Sequence, residues 1–576
     1  MEGLFVVVIA VVLIAIVAAV GQRMHLASPL VLVAIGLLLA AMPFTPDLPA
    51  IDPEWILVGV LPPLLYSSAI NLPAIEFRRD FTPIAGLSVV LVVISAVILG
   101  LFFTWTIPGL SLPLGIALGA ILSPTDAVAT SIVKRLGISP RVVTMLEGES
   151  LLNDATALVL LRTAITAIAA GFSFGSAVGA FLGGVLVALV VGAVVGWANL
   201  RVRAWVNNSA ANTALSFAAP FIAYVPTDAM GGSGLVAAVV VGIVTGQGAA
   251  RWLTPEQRLS DRLNWRTVEL ILEGGVFLIM GLELNEVVDK NLTEHEGLWR
   301  GTWLALAALG ILLLVRGVYV VVIIWGQGRR ADRFSSDDIA RLGAHLESVA
   351  RGRTAARHST DAAALRRWGE SIRRRFTRIA ADLDYYRASR LGWKHGAVIV
   401  WAGMRGVVTL AAAQTLPTDT PQRELLVFVA FMVALASLML QGFTLTPLVR
   451  ALRIRGGGEE TKAQDQEDEA LQDELRVAAI ALLQEPGLRR RDGSPFDPEF
   501  LSRVETGLTM PPDDNTTAVT HEALELRLAM IKAMRSRLVD VAASGRYSSA
   551  ALRQSLAELD ADQLSVELKV SGGEVD

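Results

Sequence analysis

Thirteen stretches of mostly apolar residues, each about the 20 residues a helix needs to cross a hydrocarbon core, recur along the first 455 residues of the chain. They fall near residues 3–20, 26–43, 54–71, 82–104, 112–133, 142–169, 174–200, 210–226, 232–247, 267–284, 301–326, 395–415 and 424–449. In lipid every backbone polar group must be satisfied within the protein, and apolar runs of this length satisfy it as helices. The spacing therefore predicts an all-α polytopic membrane protein with about 13 transmembrane helices. The opening MEGLFVVVIAVVLIAIVAAVG has no basic start and no clear small-residue cleavage site, so it reads as the first span and not as a signal peptide.

The connections test this count independently, because Lys and Arg collect in short cytoplasmic loops. Odd-numbered connections carry Arg23, then Arg78 and Arg79, then Lys134, Arg135 and Arg141, then Arg201 and Arg203, then Arg251, Arg258, Arg262 and Arg266. The even-numbered ones are nearly free of cations: PFTPDLPAIDPE, WTIPGLSL, AGFSF and VPTDAMGG contain none, and NEVVDKNLTEHEG has only Lys290. One miscounted span would destroy this alternation. It predicts an N-terminus outside and a C-terminus in the cytoplasm; the membrane expected is the plasma membrane.

Residues 1–455 thus read as the transmembrane domain, interrupted by a basic cytoplasmic loop over 327–394 that includes Arg373, Arg374 and Arg375. That loop suits either amphipathic helices beside anionic headgroups or a solvated helical hairpin. Past Arg455 the sequence turns to GGGEETKAQDQEDE, an acidic linker. Apolar residues then recur at helical spacing in DELRVAAIALLQ and HEALELRLAMIKAMRSRLVDVAA, so 456–576 reads as a soluble helical tail, either regulatory or a structural cap.

Composition excludes several classes. Without cysteine there is no disulfide, thiolate nucleophile or cysteine-ligated zinc. Six histidines argue against a metalloenzyme, a net charge of -4 gives no reason for a nucleic-acid partner, and no G-x-x-x-x-G-K-[ST] loop points to ATP-driven transport. No cofactor is expected.

Polar residues inside the spans carry the chemistry, since a charge at membrane depth is expensive and marks function by default. EGESLLND, residues 147–154, opens the sixth span. Glu147, Ser150 and Asp154 share one helical face, and Glu149 and Asn153 form a neighbouring stripe. Asp154 lies deepest, roughly 18 Å along the span. In the fifth span Pro124 breaks the helix just before Thr125 and Asp126, which frees backbone carbonyls beside a carboxylate. Hard oxygen ligands of this kind suit a dehydrated small cation. Asp126 and Asp154 would face one another, and two carboxylates in low dielectric do not both ionise readily, so either a cation or a proton relieves them. Arg405, between Gly403 and Gly406 in the twelfth span, needs an acidic partner at its depth. Glu149 is the expected partner, which leaves Asp154 free to cycle.

LPPLLY, SPTDAVAT, EGESLLND and GMRGVV, in this order and on these spans, resemble the monovalent cation/proton antiporter family 1, which includes bacterial sodium/proton antiporters and animal sodium/hydrogen exchangers. The resemblance covers about residues 1–455. It implies inverted repeats, discontinuous crossing helices, a homodimer, and a core of spans four to six and eleven to thirteen moving against a dimerisation domain. It implies electroneutral exchange of one Na⁺, Li⁺ or K⁺ for one H⁺, with Asp154 as carrier. Asp126 and Ser150 become co-ligands of the monovalent cation, Thr125 a backbone ligand, Asn153 an orienting partner, and Glu149 with Arg405 a structural ion pair. Where many relatives carry an acid after LPPLLY, this chain has Ser67, followed by Ser68.

Other intramembrane groups keep two readings. Glu147 is a residue of the cytoplasmic funnel or a solvated helix-end acid; Glu273, beside paired glycines, packs or contacts the cation; Ser67 packs or coordinates. Arg162 snorkels to the outer face, Asp228 is solvated, and Arg316 has no evident partner. A K⁺-selective antiporter is the nearest alternative. A channel would need a filter such as TVGYG, which is absent, and an intramembrane protease using two aspartates would not need Arg405.

Overall fold

The structure is a computed structural model that describes residues 2–24, 27–42, 54–126, 128–170, 174–206, 208–293, 298–333, 391–417, 420–454, 470–471, 474–485, 487–490, 493–507 and 517–572, together with Asp382, Tyr385 and Tyr386. Among these residues the chain is helical, with no β-strand and a single isolated bridge between Arg489 and Pro495. It divides into two compact units. The first comprises 1–252, 260–328 and 391–457, and the second 253–259, 329–390 and 458–576.

In the first unit the helices are α1 (Glu2–Met24), α2 (Ser28–Ala40), α3 (Leu61–Asn71), α4 (Ala74–Arg79), α5 (Phe81–Ala85), α6 (Leu91–Thr106), α7 (Leu112–Ile121), α8 (Val128–Arg135), α9 (Pro140–Ala170), α10 (Phe174–Trp205), α11 (Ser209–Ala229), α12 (Gly234–Trp252), α13 (Pro255–Leu282, whose first turn falls in the second unit), α14 (Leu284–Thr293) and α15 (Leu298–Arg333). After the long connection come α16 (Trp393–Trp401), α17 (Val407–Gln414) and α18 (Arg423–Ala451). Single π-helical segments, Trp55–Val60 and Gly86–Val90, lead into α3 and α6. Among the described residues five helical stretches are long and apolar enough to cross a membrane, and shorter apolar helices flank them.

The unit is apolar on its outside as well as inside. Leu182, Leu186, Val190, Val194 and Trp197 of α10 stand exposed, as do Leu314, Val318 and Val321 of α15. In water such stripes would be aggregation surfaces; against lipid tails they cost nothing. The interior holds the polar groups. Arg141, at the start of α9, is buried and donates to Asp80 from Nε at 3.0 Å and from Nη2 at 2.7 Å. Arg203, at the end of α10, is buried and donates from Nη2 to Asp261 of α13 at 2.6 Å and from Nε to Asn212 of α11 at 2.8 Å. Close helix approach comes from small residues. A side chain at Gly119 of α7 would stand 2.4 Å from the Ala96 carbonyl of α6.

Two expected spans are each split in two. The fifth is α7 and α8 with the non-helical stretch 122–126 after α7; the twelfth is α16 and α17 with the linker 402–406. Pro124 supplies the first interruption and the glycines of GMRG the second.

The second unit holds α19 (Pro498–Gly507), α20 (Thr517–Ser544), α21 (Ser549–Gly572) and a helical stretch over 474–483. Its apolar cores are Ala479, Phe496, Phe500, Leu526 and Met530, and Ile531, Leu559 and Val566. Most of the basic connection, Arg373, Arg374 and Arg375 included, lies outside the described residues.

Candidate functional site

The two interruptions meet. The amide of Asp126 donates to the carbonyl of Met404 at 2.7 Å, so each linker satisfies a backbone group freed in the other. Asp126 Oδ1 also accepts from the amide of Val128 at 3.0 Å and so caps α8, where the helix dipole favours an anion. Gly406 permits this arrangement: a Cβ there would lie 1.6 Å from Asp126 Oδ2, so any other residue would expel the carboxylate.

The side chains of α9 split between two enclosures, as its two stripes predict. Ser150 and Asp154 line a cavity of about 100 Å³ together with Asp126, Thr125 and Gly406 from the linkers, Ser68 from α3, and Glu269 and Glu273 from α13. That volume holds a small cation with a few waters. Asp154 is 8% exposed, and its carboxylate receives no hydrogen bond among the described residues; its nearest charge is Asp126.

Glu149 and Asn153 face the other way, into a smaller enclosure with Arg316 and Arg405. The Asn153 amide donates to the Thr125 hydroxyl, which in turn reaches Glu149 Oε1 at 3.4 Å. Asn153 and Thr125 therefore tie α9 to the first linker. Oδ1 of Asn153 is buried without a donor among the described residues.

Here one expectation is corrected. Glu149 is paired with Arg316 of α15 and not with Arg405: Arg316 Nη2 donates to Glu149 Oε2 at 2.8 Å, and Nη1 donates to Oε1. Arg316 also donates to the Ile399 carbonyl of α16 from Nε at 3.0 Å and Nη2 at 2.9 Å. Gly403 makes room for it, since a Cβ there would stand 2.6 Å from Arg316 Nε. Arg405 instead donates from Nε to the Leu122 carbonyl at 3.2 Å and from Nη1 to the Gly403 carbonyl, while its own amide donates to Ser437 Oγ at 2.9 Å. The physical reason is that the carbonyl of Leu122, just past the end of α7, and the linker carbonyl of Gly403 both meet Arg405. These backbone carbonyls, one of them at a helix C-terminus, hold the guanidinium without a carboxylate.

The remaining expected residues are placed as follows. Glu147 is half-buried, with Lys134 Nζ 3.6 Å from Oε1. Ser67 is fully buried and donates to Glu269 Oε2 at 3.3 Å, whereas its neighbour Ser68 faces the cavity. Arg162 and Asp228, expected to snorkel and to be solvated, form an ion pair joining α9 to α11. They lie with Glu54 and Tyr224 on a second, much larger cavity of about 1010 Å³. Sequence reasoning missed Glu269 and the role of Arg316. The signals were Glu269 and Glu273 four residues apart in TVELILEGG, and two deep arginines beside one fully buried glutamate.

Comparison with known proteins matches this architecture. The sequence pattern of the family described as sodium/hydrogen exchanger, transmembrane, matches residues 8–353 and 374–451. The uncharacterized Na(+)/H(+) exchanger YjcE of Escherichia coli (strain K12) is 28% identical over 92% of each chain. The Na(+)/H(+) antiporter ApNhaP of Aphanothece halophytica is 25% identical over 74% of this chain and 70% of its own. The solved structure of the sodium proton antiporter MjNhaP1 from Methanocaldococcus jannaschii at pH 8 shares the fold with a TM-score of 0.55 and 17% identity, covering 78% of this chain and 99% of that one. These matches are to membrane transport proteins and not to enzymes. The chain belongs to the sodium/hydrogen exchanger family.

Proposed function

We propose that the protein exchanges Na⁺ for H⁺, one for one, across the plasma membrane by alternating access. The observation that carries this reading is Asp154: a buried carboxylate without a fixed partner among the described residues, on the same small cavity as Asp126. Such a pair is relieved by a cation or by a proton, and each displaces the other. The permanent cations nearby are committed elsewhere, Arg316 to Glu149 and Arg405 to carbonyls, so neither competes with the transported ion. Asp126, Ser150 and the backbone of Thr125 complete the coordination, the Thr125 hydroxyl being engaged by Asn153 and Glu149. Asn153 carries no titrating proton, so each half-cycle moves a single charge on the aspartate pair and exchange is electroneutral. Li⁺ and K⁺ are the further candidate cargoes; cations and protons being the cargo, no cofactor is called for.

Thirteen crossings, an external N-terminus and a cytoplasmic C-terminus follow from the alternation of arginines among the connections. The exposed apolar face of α10 suits either lipid or a second copy, as a homodimer requires. The test is cation-induced dissipation of a pH gradient in vesicles with Na⁺, K⁺ and Li⁺ in turn. Na⁺-driven proton movement that ignores an imposed membrane potential supports the reading; no cation-driven movement, or a clear voltage dependence, rejects it or its stoichiometry respectively.

A further inference from the structure

Resting on that reading, we propose that Glu269, oriented by Ser67, is a further ion-contacting residue. It receives the monovalent cation on the arginine-rich side of the cavity and sets the apparent affinity from that side. Glu269 lines the same cavity as Asp126 and Asp154, and its one hydrogen bond among the described residues comes from the hydroxyl of fully buried Ser67, at 3.3 Å. No arginine or lysine there forms an ion pair with it; the charges it feels at longer range are Arg266, Lys134, Glu147 and Glu273. A carboxylate inside a membrane protein without a fixed counter-charge is relieved by a mobile cation or by a proton. By contrast the buried acids Asp80, Glu149 and Asp261 of the same unit are each held by an arginine.

Position supplies the rest. Glu269 and Glu273 are four residues apart on α13 and therefore on one face, roughly 6 Å along the axis. Glu273 in turn feels Asp126. Carboxylates thus run stepwise from Glu269 to the aspartate pair, with Glu269 at the end nearest Arg266 and Glu147. Ser67 is where an acid was expected on α3. Its hydroxyl instead turns a carboxylate of α13 toward the cavity, so the negative charge is present but comes from another helix.

The test uses the full-length protein in everted vesicles, which present the arginine-rich face to added Na⁺. Glu269→Gln is expected to raise the Na⁺ concentration for half-maximal response about tenfold, the loss of one charged contact, while the saturating rate falls far less. Glu269→Asp should recover part of that affinity, and Ser67→Ala should raise half-saturation by a smaller factor. Unchanged half-saturation in Glu269→Gln, or a lower saturating rate with no change in half-saturation, overturns the proposal. If size-exclusion profiles show Glu269→Gln misfolded, the milder variants decide, and wild-type half-saturation in both Glu269→Asp and Ser67→Ala overturns it equally. Failure of the unaltered protein to move protons in response to any cation would instead reject the exchange reading itself.

Discussion

Arg316 holds the carboxylate of Glu149 with both terminal nitrogens of its guanidinium, and spends its remaining hydrogen bonds on the Ile399 carbonyl of a third helix. Both side chains are 2% exposed. Removing one member of so buried a pair leaves an uncompensated charge, which costs about 3–5 kcal/mol. Glu149→Ala and Arg316→Ala should each lower the melting temperature in detergent, and a double-mutant cycle should show strong coupling between 149 and 316. Coupling between 149 and 405 should be weaker. Equal coupling in the two cycles would contradict the assignment.

Gly406→Ala places a methyl where Asp126 Oδ2 now sits. The carboxylate has to leave the cavity, so Na⁺-driven proton movement should fall more than tenfold, a loss exceeding about 1.4 kcal/mol. Radioactive Na⁺ uptake and the pH-gradient assay should fall together. Unaltered transport would mean that Asp126 does not need its present position.

Asp154→Asn keeps the shape of the site and removes the group proposed to alternate between cation and proton. It should abolish both Na⁺-induced and K⁺-induced proton movement while leaving the size-exclusion profile unchanged. Full activity in this variant would show that the carrier is elsewhere.

Asp261 offers a stability prediction outside the membrane. Burial lifts its carboxyl above the ordinary range and Arg203 opposes the lift; Oδ2 is bonded to the guanidinium, while Oδ1 is buried with no donor among the described residues. The folded state therefore holds this proton more tightly than the unfolded one, so the stability it contributes is full below about pH 4 and declines as pH rises toward the folded value. Asp261→Asn should flatten that part of the melting-temperature profile. A slope unchanged by the substitution would remove Asp261 as its source.

Depth and face could be read from spacing; partners across helices could not. Pro124 and the glycines of GMRG announced the two helix breaks, and the three- and four-residue intervals in EGESLLND separated the face of Ser150 and Asp154 from that of Glu149 and Asn153. Periodicity orders residues around one axis but is silent on how neighbouring axes are rotated. Spacing therefore could not tell Arg316 from Arg405 as the partner of Glu149, and the carbonyls of Leu122 and Gly403 that Arg405 meets distinguish them. Glu269 escaped notice for another reason. It sits one turn from Arg266 at the margin of a span, where an acid ordinarily means a solvated end, and nothing local reveals Ser67 of α3 behind it.

The amide-to-carbonyl bond between Asp126 and Met404 has a mechanical consequence. Pulling the two linkers apart would strand a donor and an acceptor away from water, at roughly 2–7 kcal/mol per group, so the floor of the cavity travels as one piece. The walls contributed by α3 and α13 lie outside that bond. On the proposed alternating-access cycle, opening to either side would slide those walls past an intact floor.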